Sequence, residues 1–273
     1  MSNLTFQVFR GDSGGGRMEE HQADVAEGMV VLDALHQIQA KDCPDLALRW
    51  NCKAGKCGSC AAEINGKPRL MCMTRLNELP TDKPITVEPM KTFPLVKDLV
   101  TDVSWNYEVN KAIPPFQPPA DQPQETWRWQ QEDIERVQEF RKCIECLLCQ
   151  DVCHVLRNHE TKQPFMGPRF LVRSAGLEMH PIDQADRLEH LKDEGGIGLC
   201  NITKCCTKVC PEGITITDNA IIPLKERVID QLYDPVAKLF RILRPTSPKA
   251  PAVAPLSSPK ASAGVSASSK VST

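Results

Sequence analysis

The stretch CIECLLCQDVC, Cys143–Cys153, spaces four cysteines as C-x2-C-x2-C-x3-C. With this spacing, cubane iron–sulfur clusters are held in pairs: three thiolates grip one cluster and the fourth reaches the other. A second copy of the run is then required. It lies in GLCNITKCCTKVCPEG, Gly198–Gly213. Aligned from its C-P end at Cys210–Pro211, the template puts Cys206 at the third position and Cys200 at the first. The second position falls on Thr203, and Cys205 stands out of phase. By the crossover rule, Cys143, Cys146, Cys149 and Cys210 hold a 4Fe-4S cluster. Cys153, Cys200 and Cys206 remain as three thiolates. A cubane corner without a thiolate tends to lose its iron, so the expectation there is a 3Fe-4S cluster. Cys205 swinging in as a fourth ligand is the alternative.

Upstream, CKAGKCGSC places Cys52, Cys57 and Cys60 as C-x4-C-x2-C, and Cys72 follows after eleven residues. This is the plant-type spacing for a 2Fe-2S cluster. Such a loop must fold its backbone N–H groups onto sulfur, and Gly55 and Gly58 permit the positive φ and close approach this needs. Zinc is the competing reading, but zinc sites usually pair two short C-x2-4-C knuckles, which fits this spacing poorly. Lys53 and Lys56 read as solvated and Cys43, outside the pattern, as a packed thiol.

The chain has 273 residues, is 41% hydrophobic, and carries thirteen cysteines and a formal net charge of -2. The charge argues against a nucleic-acid partner. No apolar run is long enough to span a bilayer. MSNLTFQVFRGD lacks the features of a secretory signal, so a cytosolic chain with reduced thiols is expected. LTFQVFR followed by GDSGGGR reads as a strand entering a hairpin, and VVLDALHQIQ as a short helix burying Val31, Leu35 and Ile38. Further strands are expected around AAEING, RLMCM and ITVEPM. IPPFQPPADQP (113–123) is a stiff connector. Beyond it, QQEDIERVQEF, with Ile134, Val137 and Phe140 in phase, and LKERVIDQL, entered at Pro223, read as helices. Trp127 and Trp129 read as packing between domains. The Pro/Ala/Ser/Lys tail cannot bury a core and should be disordered.

Taken together, WNCKAGKCGSCAAEINGKPRLMC, EPMKTFPLVKDLVTDVS, CIECLLCQDVC, FMGPRF and CNITKCCTKVCP resemble the iron–sulfur subunit of succinate dehydrogenase and fumarate reductase. All eleven ligand positions are filled. The resemblance implies an α+β chain in two domains. A plant-ferredoxin-like β-grasp domain occupies 1–106 and carries the 2Fe-2S site. A proline-rich linker fills 107–126. An all-helical, bacterial-ferredoxin-like domain with the 4Fe-4S and 3Fe-4S sites covers 127–245, and the tail 246–273. It also implies partners: an FAD-containing flavoprotein subunit that oxidises succinate, a cytochrome b-type membrane-anchor subunit and a quinone, menaquinone or ubiquinone. The place implied is the cytoplasmic face of the bacterial plasma membrane. No catalytic residue is expected on this chain. Fumarate reduction uses the same ligand set in reverse, and a soluble multi-cluster carrier is the other reading. At the quinone end the sequence departs from the family. His154 stands where many relatives have proline, Asn201 where they have histidine, and a tryptophan found in some members is missing near Asn158. The resemblance therefore carries no quinone contact onto named residues.

Overall fold

The computed structural model describes residues 2–158 and 164–235, so the expected tail at 246–273 and the last ten residues of the expected helical domain lie outside the described residues. The first half is a sheet with one helix laid across it. β1 (Ser2–Asp12) and β2 (Gly15–Val25) form the expected antiparallel hairpin, paired from Ser2↔Val25 to Asp12↔Gly15. α1 (Val31–Lys41) buries Val31, Leu32, Ala34, Leu35 and Ile38, and its first turn is closed by Asp33, which accepts the Val30 backbone N–H at 3.1 Å. β3 (Ala61–Ile64), β4 (Lys67–Leu70), β5 (Ile85–Glu88), β6 (Leu95–Lys97) and β7 (Val100–Thr101) complete the sheet in the order β4-β3-β5-β1-β6-β7. β5 runs parallel to β1 through Phe6–Val8, while β3 and β4 pair antiparallel.

The expected strand at RLMCM ends early. β4 stops at Leu70 because the next backbone groups bond elsewhere: Met71 N–H donates to the Cys60 carbonyl, and Met71 O accepts from Leu32. Cys72 therefore sits in a turn. The core of this half gathers Phe6, Val8, Leu35, Ile64, Ile85 and Val87, each essentially free of solvent. Burying side chains of this size stabilises by about 1.5–3 kcal/mol each.

α2 (Ser104–Ala112) crosses the expected boundary at 106/107 and buries Asn106, Val109 and Ala112. The proline segment after it has neither helix nor strand through Pro123. It is held by Arg187, whose side chain is 0% exposed. The guanidinium donates to the Pro114 and Pro115 carbonyls, both at 2.8 Å, and pairs with Asp183 at 2.7 Å. Trp127 meets Phe116 edge-on, and Trp129 meets His180 with centroids 4.6 Å apart. These tryptophans thus fasten the linker to the helical half instead of joining the two domains.

The second half contains α3 (Gln131–Gln138), α4 (Leu148–Asp151), α5 (His154–Asn158), α6 (Pro168–Glu178), α7 (Leu188–Asp193), α8 (Cys205–Val209) and α9 (Ile222–Leu232). Pro223 stands in the first turn of α9, directly after a π-helical turn, Ile216–Ile221, that runs into the helix. Among the described residues no strand follows Thr101, and no helix is long and apolar enough to cross a membrane. The helical core joins Val137, Phe140, Leu156, Phe170, Leu171 and Leu224. Leu148 does not belong to it. That side chain, 1% exposed, plugs into the core of the first half, with Ile144 and Leu147 packed beside it.

Candidate metal centres

All thirteen cysteines are free thiols. In the first loop, positive φ at Lys53, Gly55 and Gly58 curls the chain inward. The backbone N–H groups of Ala54, Lys56 and Cys57 then donate to Cys52 Sγ at 3.3–3.4 Å. Cys57 Sγ lies 3.0 Å from the Ser59 hydroxyl, and that hydrogen bond, aided by backbone N–H groups, holds the thiol down at about 6. Burial does the opposite at Cys60, pushing its thiol up to about 12. Cys72 is buried nearby, its turn tied to Cys60 through Met71. Both lysines are exposed, as expected; Lys53 lies over the Trp50 ring, 4.7 Å from the centroid, and Lys56 reaches Glu212 at 3.5 Å.

The second group lines one cavity: Cys143, Cys146, Cys149 and Cys210 form its wall with Arg169 and Val172. Burial pushes Cys146 up to about 12 and Cys149 well above the usual thiol range, and it raises Cys210 as well. Ionised sulfur there needs compensating charge or metal. Arg169 supplies part of that charge; it pairs with Glu145, and its N–H donates to Gln150.

Of the cysteines expected in the third group, Cys153 lies near Cys205 and Cys200, and Cys206 lies beside Cys205 and near Cys149. Cys206 Sγ sits 3.5 Å from the Thr217 hydroxyl, and Lys225 donates to the Cys200 carbonyl at 2.6 Å. Cys205 Sγ lies 3.4 Å from the Thr203 hydroxyl. The neighbouring Cys206 first, then Thr203 and His154, hold the Cys205 thiol down at about 5. His154 Nε2 is buried without a hydrogen-bond partner, and Asn201 is exposed. Cys43, elsewhere, is buried in the first core with its sulfur side-on to the His21 ring, 3.7 and 4.0 Å from the two nitrogens.

The two ferredoxin-type runs share one backbone. In the first, the left-handed residues are Glu145 and Leu147, two and four places after Cys143; in the second they are Ile202 and Lys204, two and four places after Cys200. Leu147 then caps α4 and Lys204 caps α8. Asp151 N–H donates to Leu147 O as Lys208 N–H donates to Lys204 O, and Cys153 N–H to Gln150 O as Cys210 N–H to Thr207 O. Non-glycine residues adopt this conformation at a cost of roughly 1–2 kcal/mol each, so the repeated pattern is imposed by the loop's task. Thr203 thereby occupies the place of Cys146, and Cys205 the place of Leu148.

Sequence reasoning did not find the polar cluster that locks the halves together. Glu63 on β3 and Asp151 at the end of α4, 1% and 0% exposed, both face Arg157. Arg157 pairs with Glu63, donates to the Asp151 carbonyl and lies 3.5 Å from the Asp151 carboxylate. Thr92 adds its N–H to Asp151 at 3.1 Å, and Lys91 reaches Glu63 at 3.2 Å. The partners stand up to 94 residues apart in sequence, and no local pattern joins them.

Two family models match the chain: a "2Fe-2S iron-sulfur cluster binding domain" over residues 5–108 and a "4Fe-4S dicluster domain" over residues 139–214. The chain is 31% identical to the succinate dehydrogenase iron–sulfur subunit of Bacillus subtilis, over 73% of this chain and 81% of that one. It is also 31% identical to the fumarate reductase iron–sulfur subunit of Mycobacterium tuberculosis, over 72% and 80% of the two chains. Among solved structures, a chain of the Mycobacterium smegmatis Sdh1 complex in the apo form aligns with a TM-score of 0.83 at 60% identity, covering 86% of this chain and 98% of that one. With two iron–sulfur domains in this order and relatives matched over most of their length, the chain belongs to the iron–sulfur subunit family of succinate dehydrogenase and fumarate reductase.

Proposed function

We propose that this chain is the electron-transfer subunit of a succinate:quinone oxidoreductase. It receives electrons from the FAD of a flavoprotein subunit, where succinate is oxidised, and delivers them to a quinone at a cytochrome b-type anchor. The complex sits on the cytoplasmic face of the plasma membrane. In this reading Cys52, Cys57, Cys60 and Cys72 hold a 2Fe-2S cluster. Cys143, Cys146, Cys149 and Cys210 hold a 4Fe-4S cluster, and Cys153, Cys200 and Cys206 a 3Fe-4S cluster. Bound there, such groups supply one-electron carriers between two-electron partners, the flavin and the quinone.

The observation that carries the reading is the shared backbone of the two runs, which supports Thr203 as the vacant ligand position and Cys205 as the thiol out of phase. The donor set also fits the groups. Cys143, Cys146, Cys149 and Cys210 line one cavity, N–H groups already point at Cys52, and Arg169 is placed to offset thiolate charge near Cys149. Such neighbours tune ligand basicity and potential. Thr217 does the same for Cys206, while Lys225 fixes the backbone of Cys200.

Thr203→Cys tests the ligand count. Protein isolated without oxygen should carry about nine irons per chain and show a three-iron EPR signal when oxidised; the variant should lose that signal and gain about one iron. A parent protein with two four-iron clusters, or with zinc, refutes the assignment. Purification from membranes tests the placement: co-elution with a flavoprotein and a helical membrane subunit is expected, and a monomer in the soluble fraction refutes it.

A further inference from the structure

Gly58 lies between Cys57 and Cys60 in the first thiol loop, yet its nearest non-local neighbour belongs to the second group. A Cβ built on Gly58 would stand 2.6 Å from Cys146 Cα, 2.9 Å from Cys146 Cβ and 3.0 Å from Cys146 N. The loop therefore rests directly on the backbone of a residue lining the second cavity. A further tie lies nearby: Lys56, two residues earlier, pairs with Glu212, two residues after Cys210. Behind these contacts, Leu148 and the Arg157 cluster hold the halves together, so the loop cannot shift freely as a whole.

We propose that Gly58 is a positioning residue that sets the separation of the first two thiol groups: its missing side chain lets loop 52–60 sit in contact with Cys146. The inference rests on reading both groups as one-electron sites. Electron transfer between such sites is steeply sensitive to separation, so a tight backbone contact between their loops is a rate-setting dimension. An added methyl at residue 58 must be moved from 2.6 Å to the ordinary contact distance of at least 3.4 Å, which lifts the loop by about 0.8 Å because the obstacle is backbone and cannot rotate away.

Gly55 provides a matched control. Its φ of +64 is close to the +70 of Gly58, so a substitution carries a similar backbone penalty. The three atoms nearest a Cβ there all belong to the side chain of Met73, which is exposed. The test compares Gly58→Ala and Gly58→Asn with Gly55→Ala and Gly55→Asn in natively isolated, iron-loaded full-length protein. Asparagine tolerates the left-handed conformation better than alanine, which separates strain from contact. EPR reads each reduced cluster alone, then the magnetic interaction between the first and second, and freeze-quench kinetics read how fast the first signal is reoxidised. Both Gly58 variants should show a weaker interaction and transfer electrons several-fold more slowly, whereas in the Gly55 variants, which strain the same loop without touching Cys146, the interaction stays at parental strength wherever both signals are present. Gly58 variants with parental interaction and rate overturn the inference. So do Gly55 variants that lose as much, or Gly58 variants that lose the first signal altogether, which would make the contact a requirement of the loop's own fold. A parent protein without two interacting signals refutes the underlying reading instead.

Discussion

Replacing Arg157 with alanine removes the cation that two carboxylates share across the junction of the halves. Glu63 and Asp151 are almost completely shielded from water, and Arg157 contacts both. Taking one partner from a buried pair typically costs about 3–5 kcal/mol, because the other charge stays buried without compensation. Here Lys91 still pairs with Glu63 at 3.2 Å and Thr92 still donates to Asp151, so the low end, about 3 kcal/mol, applies. At about 1.4 kcal/mol per tenfold, opening of the junction becomes more frequent by about two orders of magnitude. The Thr92 amide, bonded across the junction to Asp151, reports that opening by hydrogen exchange.

The pH dependence supplies a second check. Burial first, then neighbouring Glu63, raises the Asp151 carboxyl to about 6, and Arg157 works against that rise. A folded-state pKa above the unfolded value near 4 means the carboxyl weakens the fold above about pH 6, and the penalty fades as pH falls through 6. Without Arg157 the carboxyl rises further, so the variant's defect should be largest at about pH 8 and smaller at about pH 5. Adding Glu63→Gln should restore part of the lost protection. Protection of the Thr92 amide that is unchanged in Arg157→Ala, or a defect that grows on acidification, would refute the reasoning.

Arg187→Met should detach the proline segment from the helical half. It strands the buried Asp183 carboxylate, which keeps the N–H groups of Gln117 and Ala185, and costs about 3 kcal/mol. Fluorescence of Trp127 and Trp129 should shift at lower denaturant, and an unchanged transition would show that the clamp is idle. In iron-free protein at neutral pH, Cys57 and Cys205 should be alkylated ahead of Cys60 and Cys146. The first pair, at about 6 and about 5, is already thiolate, while the second, at about 12, is not. Mass spectrometry of timed samples checks the order, and faster labelling of Cys60 than of Cys57 contradicts it.

The thiol runs were legible because a cluster-binding loop imposes fixed ligand spacing, and the phase of Thr203 followed from counting alone. The hairpin, α1 and α9 were legible because their apolar residues recur with one clear period. β6 and β7, with three residues and two, are too short to carry a period. Cys72 read as strand because Arg69–Met73 looks extended, whereas Leu32 and Cys60 draw the backbone of Met71 into a turn. The Glu63–Arg157–Asp151 cluster and the contact of Gly58 with Cys146 left no local trace, since each exists only once two distant segments have met. The tryptophans were recognised as packing residues, but their partners, Phe116 and His180, lie on the linker and the helical half.

Leu148 has a consequence for biosynthesis. It is carried by the run that includes Cys146 and Cys149, yet it completes the interior of the preceding half. While the ribosome has delivered only the sheet and α1, the apolar surface that Leu148 covers stays open to water, forgoing roughly 1.5–3 kcal/mol of burial. The early half must wait, incompletely packed, until the later run arrives to cover it. Maturation is therefore interlocked: the segment that brings the second set of thiols is also the stopper that finishes the first compartment.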